Sequence, residues 1–228
     1  MSTGLLLRQD LDWSGRHLLD GSAAARGARL REALHRGLWG PAVHHWCAPF
    51  TVTGTPLTTP AVYVANHASH ADTAAIRAAI GRSLRARLAV AAADDYFFSS
   101  SRRAAGFTVA VGAFPFPRNG DLGLRRANAL LTEGWSVLLY PQGTRNAGSE
   151  YRPGALRLVR EGWPIVPVGI AGTDRVLPKG ARRPRRAATA VVFGAPLEPA
   201  SLLGADALRA FADAIRAVEA RAKGLAAR

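Results

Sequence analysis

Five apolar residues, Ala61 to Ala65, run without interruption into Asn66-His67-Ala68-Ser69-His70-Ala71-Asp72. An apolar run of that length predicts a strand buried on both faces. Strands of this kind belong to α/β sheets, which gather their chemistry where the strands end. Five residues of regular helix turn through about 500°, so side chains at 67 and 72 on one helix would stand about 140° apart. They meet only if His67 lies on the loop and Asp72 falls in the first turn of a following helix, with Ser69 or His70 near its cap. A carboxylate on one imidazole nitrogen leaves the other free to act as a general base. The competing expectation is a chance spacing, with His70 a cap or surface residue. A second motif has to decide.

The rest of the chain alternates between strand-like and helical patterns. Strands are predicted over 50–54, 87–93, 107–112, 136–140, 165–170 and 188–193, with helices over 72–84, 121–133, 154–161 and 205–223. Residues 22–47 read as one or two helices, with Leu30, Leu34 and Leu38 as the apolar stripe and Arg26, Arg29, Arg31 and Arg36 on the other faces. In the last helix Leu208, Phe211, Ile215 and Val218 share a face. The prolines of Phe114-Pro115-Phe116-Pro117 predict an extended loop. The alternation implies an α/β domain with a mostly parallel central sheet flanked by helices, preceded by a basic helical segment. The expected division is 1–48 for that segment and 49–228 for one globular unit.

An excess of basic residues gives the chain a net charge of +14, carried almost wholly by arginine. Its partner is therefore anionic: nucleic acid, an anionic membrane surface or a phosphorylated small molecule. Charge alone does not choose among them. The single cysteine, Cys47, excludes an internal disulfide and a cysteine-based zinc site, and a reducing compartment is the expectation. Nothing in Met1 to Asp12 has the pattern of a secretory leader. The stretch from Gly37 to Ala71 lacks Asp, Glu, Lys and Arg, but Pro41, Pro49, Pro56 and Pro60 divide it, so no transmembrane helix is expected. Trp39, Trp46 and Phe50, beside His44 and His45, suit either a membrane interface or packing on the domain's own sheet. Four arginines around Pro184 (Arg182, Arg183, Arg185, Arg186) suit a solvated loop or a contact with phosphate groups.

The second motif follows the strand at 136–140, which ends abruptly in Pro141-Gln142-Gly143-Thr144-Arg145. Its glycine permits close backbone approach and its arginine suits phosphate. Gly112, Phe114 and Arg118 precede it, and Val166-Pro167-Val168 follow it, with Pro167 an odd choice for a central ladder. In this order the four pieces resemble the motifs of the glycerolipid acyltransferase family that includes 1-acylglycerol-3-phosphate O-acyltransferases. Asn66, His67, Ser69 and Asp72 match N-H-x-S-x-x-D, while Gly112, Phe114 and Arg118 match G-x-F/I-x-x-x-R. Tyr140, Pro141, Gly143, Thr144 and Arg145 match F/Y-P-E-G-T-R, and the fourth block is V-P-V itself. One position departs: Gln142 stands where the family carries glutamate, keeping its length but unable to serve as a base.

The resemblance implies direct transfer of a fatty acyl group from acyl-CoA or acyl-carrier protein to the hydroxyl of a lysophospholipid, foremost 1-acylglycerol-3-phosphate. It implies His67 as base, Asp72 as its orienting carboxylate, and Arg118 and Arg145 as phosphate ligands. Gln142, Gly143 and Thr144 then line the substrate site, with Asn66, Ser69, Gly112 and Pro167 supporting it. No metal or cofactor is expected, nor nucleic acid. The expected location is the cytoplasmic face of the cell membrane, held peripherally to its anionic surface. The rival expectations are the same transfer to another acceptor, such as a lyso-aminolipid or a hydroxylated secondary metabolite, and a non-catalytic basic protein.

Overall fold

The computed structural model describes residues 21–93, 108–117, 121–142, 151–181 and 183–228. In chain order the elements begin with helix α1 (Gly21–Leu34), a π-helical turn (His35–Trp39), helix α2 (Gly40–Trp46), and strands β1 (Phe50–Thr53) and β2 (Val62–Ala65). Helices α3 (Ala71–Ala79) and α4 (Arg82–Ala86) lead to β3 (Leu88–Ala93), β4 (Ala113–Phe116), α5 (Leu122–Thr132) and β5 (Ser136–Leu139). The chain then forms α6 (Gly154–Arg160), β6 (Ile165–Ala171), the short α7 (Thr173–Val176), β7 (Thr189–Phe193), a 3-10 turn (Pro199–Leu202) and α8 (Ala207–Ala226).

The strands form one seven-stranded sheet in the order β1-β7-β6-β2-β5-β3-β4. Every pairing is parallel except β6 with β7. The strand that carries the first motif, β2, lies in the middle, with all four residues buried. On one face Val62, Val64, Val137 and Leu139 pack with Leu130 and Leu131 of α5, Leu158 of α6, and Phe211 and Ile215 of α8. On the other, Tyr63, Ala65, Val90 and Leu138 pack with Ala75 and Ile76 of α3. Each fully covered Val, Leu, Ile or Phe contributes about 1.5–3 kcal/mol, so the centre of the sheet is its most firmly held part. A Cβ at Gly169 would come within 2.1 Å of the Val218 carbonyl oxygen, so α8 rests directly on the β6 backbone.

Pro167 fits its strand for a geometric reason. Its carbonyl accepts from the amide of Gly194, on the β7 side. The N–H and C=O of one strand residue point the same way, so the missing donor also faces β7, just where that strand ends at Phe193.

The structure differs from the sequence expectations in four places. Residues 108–111 are helical rather than extended, while Phe107 lies outside the described residues. The strand is instead the proline-rich Ala113–Phe116, tolerated because β4 is the edge of the sheet. The helix predicted over 72–84 divides at Ile80 and Gly81. Leu208 of α8 is exposed, whereas Phe211, Ile215 and Val218 are buried as expected. In α1 and the π-helical turn after it the stripe is inverted: Leu30 and Leu38 are 48% and 53% exposed, and Arg31 is only 2% exposed. Gly27, one turn before Arg31, is buried as well. The arginine stem then fills the space beside Gly112, with its guanidinium 5.8 Å from the Trp135 ring centre.

Candidate active site

The site begins where β2 ends, and each neighbouring strand ties it down. Asn66 clamps the chain to β6: its side chain donates to the Ile170 carbonyl (2.9 Å) and accepts from the Ile170 amide (2.8 Å). From the end of β5, Gln142 accepts the amide of His67 through Oε1 at 2.9 Å. The Ser69 hydroxyl donates to the Leu177 carbonyl (2.9 Å) and accepts the Ala71 amide (3.2 Å), closing the turn into α3. His70 is the N-cap of that helix and Asp72 lies in its first turn. The loop-then-helix placement required by the five-residue spacing is the one observed.

His67 Nδ1 lies 2.8 Å from Asp72 Oδ2. A carboxylate only accepts, so a proton sits on Nδ1, and in the neutral imidazole Nε2 keeps its lone pair. Asp72 is wholly buried, while the histidine side chain retains 19% exposure. The same Oδ2 also accepts the amides of Ala68 (2.7 Å) and Ser69 (2.9 Å), and Oδ1 accepts the hydroxyl of Thr173. Four donors therefore converge on one buried carboxylate, and its orientation is over-determined. Tyr140 stacks on the imidazole, ring centres 4.3 Å apart and planes 30° apart, and its hydroxyl is 2.8 Å from Thr73 Oγ1. Burial, then the Asp72 charge, pushes the Tyr140 phenol well above its ordinary range. Cys47 is raised by burial and, less strongly, by Asp72.

Of the residues singled out in the sequence, Asn66, His67, Ser69, Asp72 and Gln142 come together here. Pro167 lies alongside, paired with Val64 of β2. Gly112 does not. It precedes β4 and accepts the Val90 amide, so it stands at the edge where the parallel strands begin, opposite His67. There its φ of +70° joins the helical turn at 108–111 to the strand. Arg118, Gly143, Thr144 and Arg145 lie outside the described residues. Thr173 was not foreseen, because nothing in a spacing of 101 residues signals it.

The family model described as Acyltransferase matches residues 49–171, more than half of the chain. No curated protein matches the sequence. Among solved structures, the crystal structure of the 1-acyl-sn-glycerophosphate (LPA) acyltransferase PlsC from Thermotoga maritima superposes with a TM-score of 0.66 at 20% identity, covering 96% of this chain and 95% of that one. At that identity the likeness is one of fold. The matched segment contains β2, the His67–Asp72 pair and β6, and the chain belongs to the acyltransferase family.

Proposed function

We propose that this acyltransferase moves a fatty acyl group from a thioester, acyl-CoA or acyl-carrier protein, to the free hydroxyl of a lysophospholipid, foremost 1-acylglycerol-3-phosphate, giving phosphatidic acid. The observation that carries this reading is the His67–Asp72 pair, held at the carboxyl edge of the sheet inside the family segment. In the reaction Nε2 of His67 takes the hydroxyl proton as the oxygen attacks the thioester carbonyl. Asp72 holds the tautomer and stabilises the imidazolium that forms. The tetrahedral intermediate collapses, the C–S bond breaks, and the thiol leaves with the proton returned by the imidazolium. The chemistry calls for no metal or cofactor.

Arg118 and Arg145 are assigned to the acceptor phosphate on their motif positions, since a guanidinium fork matches phosphate oxygens. Gly143 and Thr144 are assigned to the developing oxyanion through their backbone amides. The protein works from the membrane surface as a peripheral enzyme. No helix among the described residues is long and apolar enough to cross a bilayer. Leu30, Leu38 and Trp39 are exposed, with exposed Arg26, Arg29 and Arg36 around them, a combination that suits an anionic lipid interface.

One residue bears on the choice of acceptor. Gln142 brings no negative charge where the family has glutamate, which favours an anionic acceptor, and its carbonyl is already engaged by the His67 amide. A panel of lyso-acceptors with palmitoyl-CoA and palmitoyl-carrier protein decides: phosphatidic acid formation from lysophosphatidic acid is expected, and turnover confined to non-phosphate acceptors would move the assignment to them. His67→Ala should lose about 10²–10⁴-fold in rate with the same melting temperature. Acceptor-dependent thioester consumption undiminished in that variant would defeat the general-base mechanism.

A further inference from the structure

The two oxygens of the carboxylate that orients His67 are held differently. Oδ2 accepts from the imidazole and from the amides of Ala68 and Ser69, all on its own loop. Oδ1 accepts from Thr173, which arrives from beyond β6. Both Thr173 and Asp72 are fully buried, so bulk water cannot replace that donor. The hydroxyl's own position is fixed by the chain. Thr173 opens α7 directly after Gly172, whose φ of +91° turns the backbone out of β6. A Cβ at 172 would come within 2.0 Å of the Ala188 carbonyl oxygen, so the residue leading into β7 closes this corner from the other side.

We propose that Thr173 is a third member of the His67–Asp72 array: a positioning residue that anchors the carboxylate from the β6 side and sets the strength of the pair as a base. The proposal rests on the general-base reading of His67. While Thr173 donates, part of the carboxylate's charge is engaged at Oδ1 rather than directed at the imidazole. Without it Oδ1 is a buried acceptor with no donor, and the pair takes up a proton more readily, whichever member carries it. Of the ionisable groups facing the pair, the phenol and the thiol do not obscure this. Tyr140, at the end of β5, and Cys47, at the end of α2, are both raised by burial and by Asp72, and stay neutral while an imidazole titrates. His70 lies on the same loop. On α7 Asp174 and Arg175 are exposed, and Arg175 reaches the Ala188 and Ala226 carbonyls instead.

Three substitutions separate this role from simple packing. Thr173→Ser keeps the donor, Thr173→Val keeps the shape without it, and Thr173→Ala leaves room for a water to donate instead. The expected order of kcat is parent, Ser, Ala, Val, with Val lower by about tenfold or more and the acceptor KM nearly constant. In Thr173→Val the acid limb of kcat/KM should move to higher pH by about one unit. A packing role predicts the reverse order for the last two, so a valine variant as active as alanine overturns the proposal. Titration of the His67 ring by NMR requires no substrate and separates this inference from the choice of acceptor. A shift to higher pH in Thr173→Val sustains the array even if no acceptor in the panel is turned over, and an unshifted titration defeats it.

Discussion

His67 has a carboxylate at one edge of its ring and an aromatic face against its plane. The aromatic partner, Tyr140, is anchored through its hydroxyl by Thr73, the residue after Asp72, so α3 holds both neighbours of the imidazole. A phenol kept neutral adds no charge beside the base. Its ordinary value is about 10, and burial lifts it higher in the folded protein. The folded state therefore binds this proton more tightly than the unfolded chain. Its contribution to stability is complete below pH 10 and is lost as pH rises beyond that. Urea midpoints of the parent and Tyr140→Phe should run parallel from about pH 7 to 9, and the parent should then lose stability relative to the variant near pH 11. Parallel curves throughout would mean that the phenol is not held in this way. Asn66, His67, Ser69 and Asp72 were legible in the sequence because seven consecutive residues contain them. Gln142 was legible only through a motif, since its bond to His67 spans 75 residues.

Helix α1 shows how a local pattern misleads. Leucines at 30, 34 and 38 give a helical stripe, but the buried face carries Gly27 and Arg31, and Leu30 and Leu38 are left outside. None of the three guanidinium nitrogens of Arg31 has a hydrogen-bond partner among the described residues, and burial lowers its pKa to about 10. Its neighbour Arg77, also lowered by burial, is satisfied by the carbonyls of Leu88, Val111 and Arg85. Arg85 in turn reaches Glu32. Arg31 instead lies over the face of Trp135. Leaving buried donors unmatched costs about 1–3 kcal/mol. Arg31→Met keeps the apolar stem and removes the charge, and it should raise the melting temperature by about 2–8 °C. A lower melting temperature would show that the indole contact outweighs the burial cost.

Across the whole molecule the sheet separates two regions. The carboxyl edge of β2 carries the His67 loop, and the opposite edge, where β3, β4 and β5 begin, holds Arg31, Gly112 and Trp135. The net charge of +14 and the exposed Leu38 and Trp39 should bring the protein to anionic vesicles. Sedimentation with phosphatidylglycerol vesicles should weaken with added salt and fall further in a Leu38→Ser, Trp39→Ser double variant of unchanged melting temperature. Equal binding by that variant would remove this surface from the docking site. The sequence by itself determined the layered α/β sheet, the buried centre at β2 and the local half of the site, because apolar periodicity and a strand running directly into a polar loop are properties of neighbours in the chain. Only the tertiary structure decided which face of α1 is buried, that residues 113–116 form the edge strand, and that Thr173 completes the carboxylate's set of donors. Those outcomes depend on which strands lie side by side, β3 with β4 and β5 at one end of the sheet and β2 with β6 near its centre, and contacts across 101 residues leave no periodic trace in the sequence.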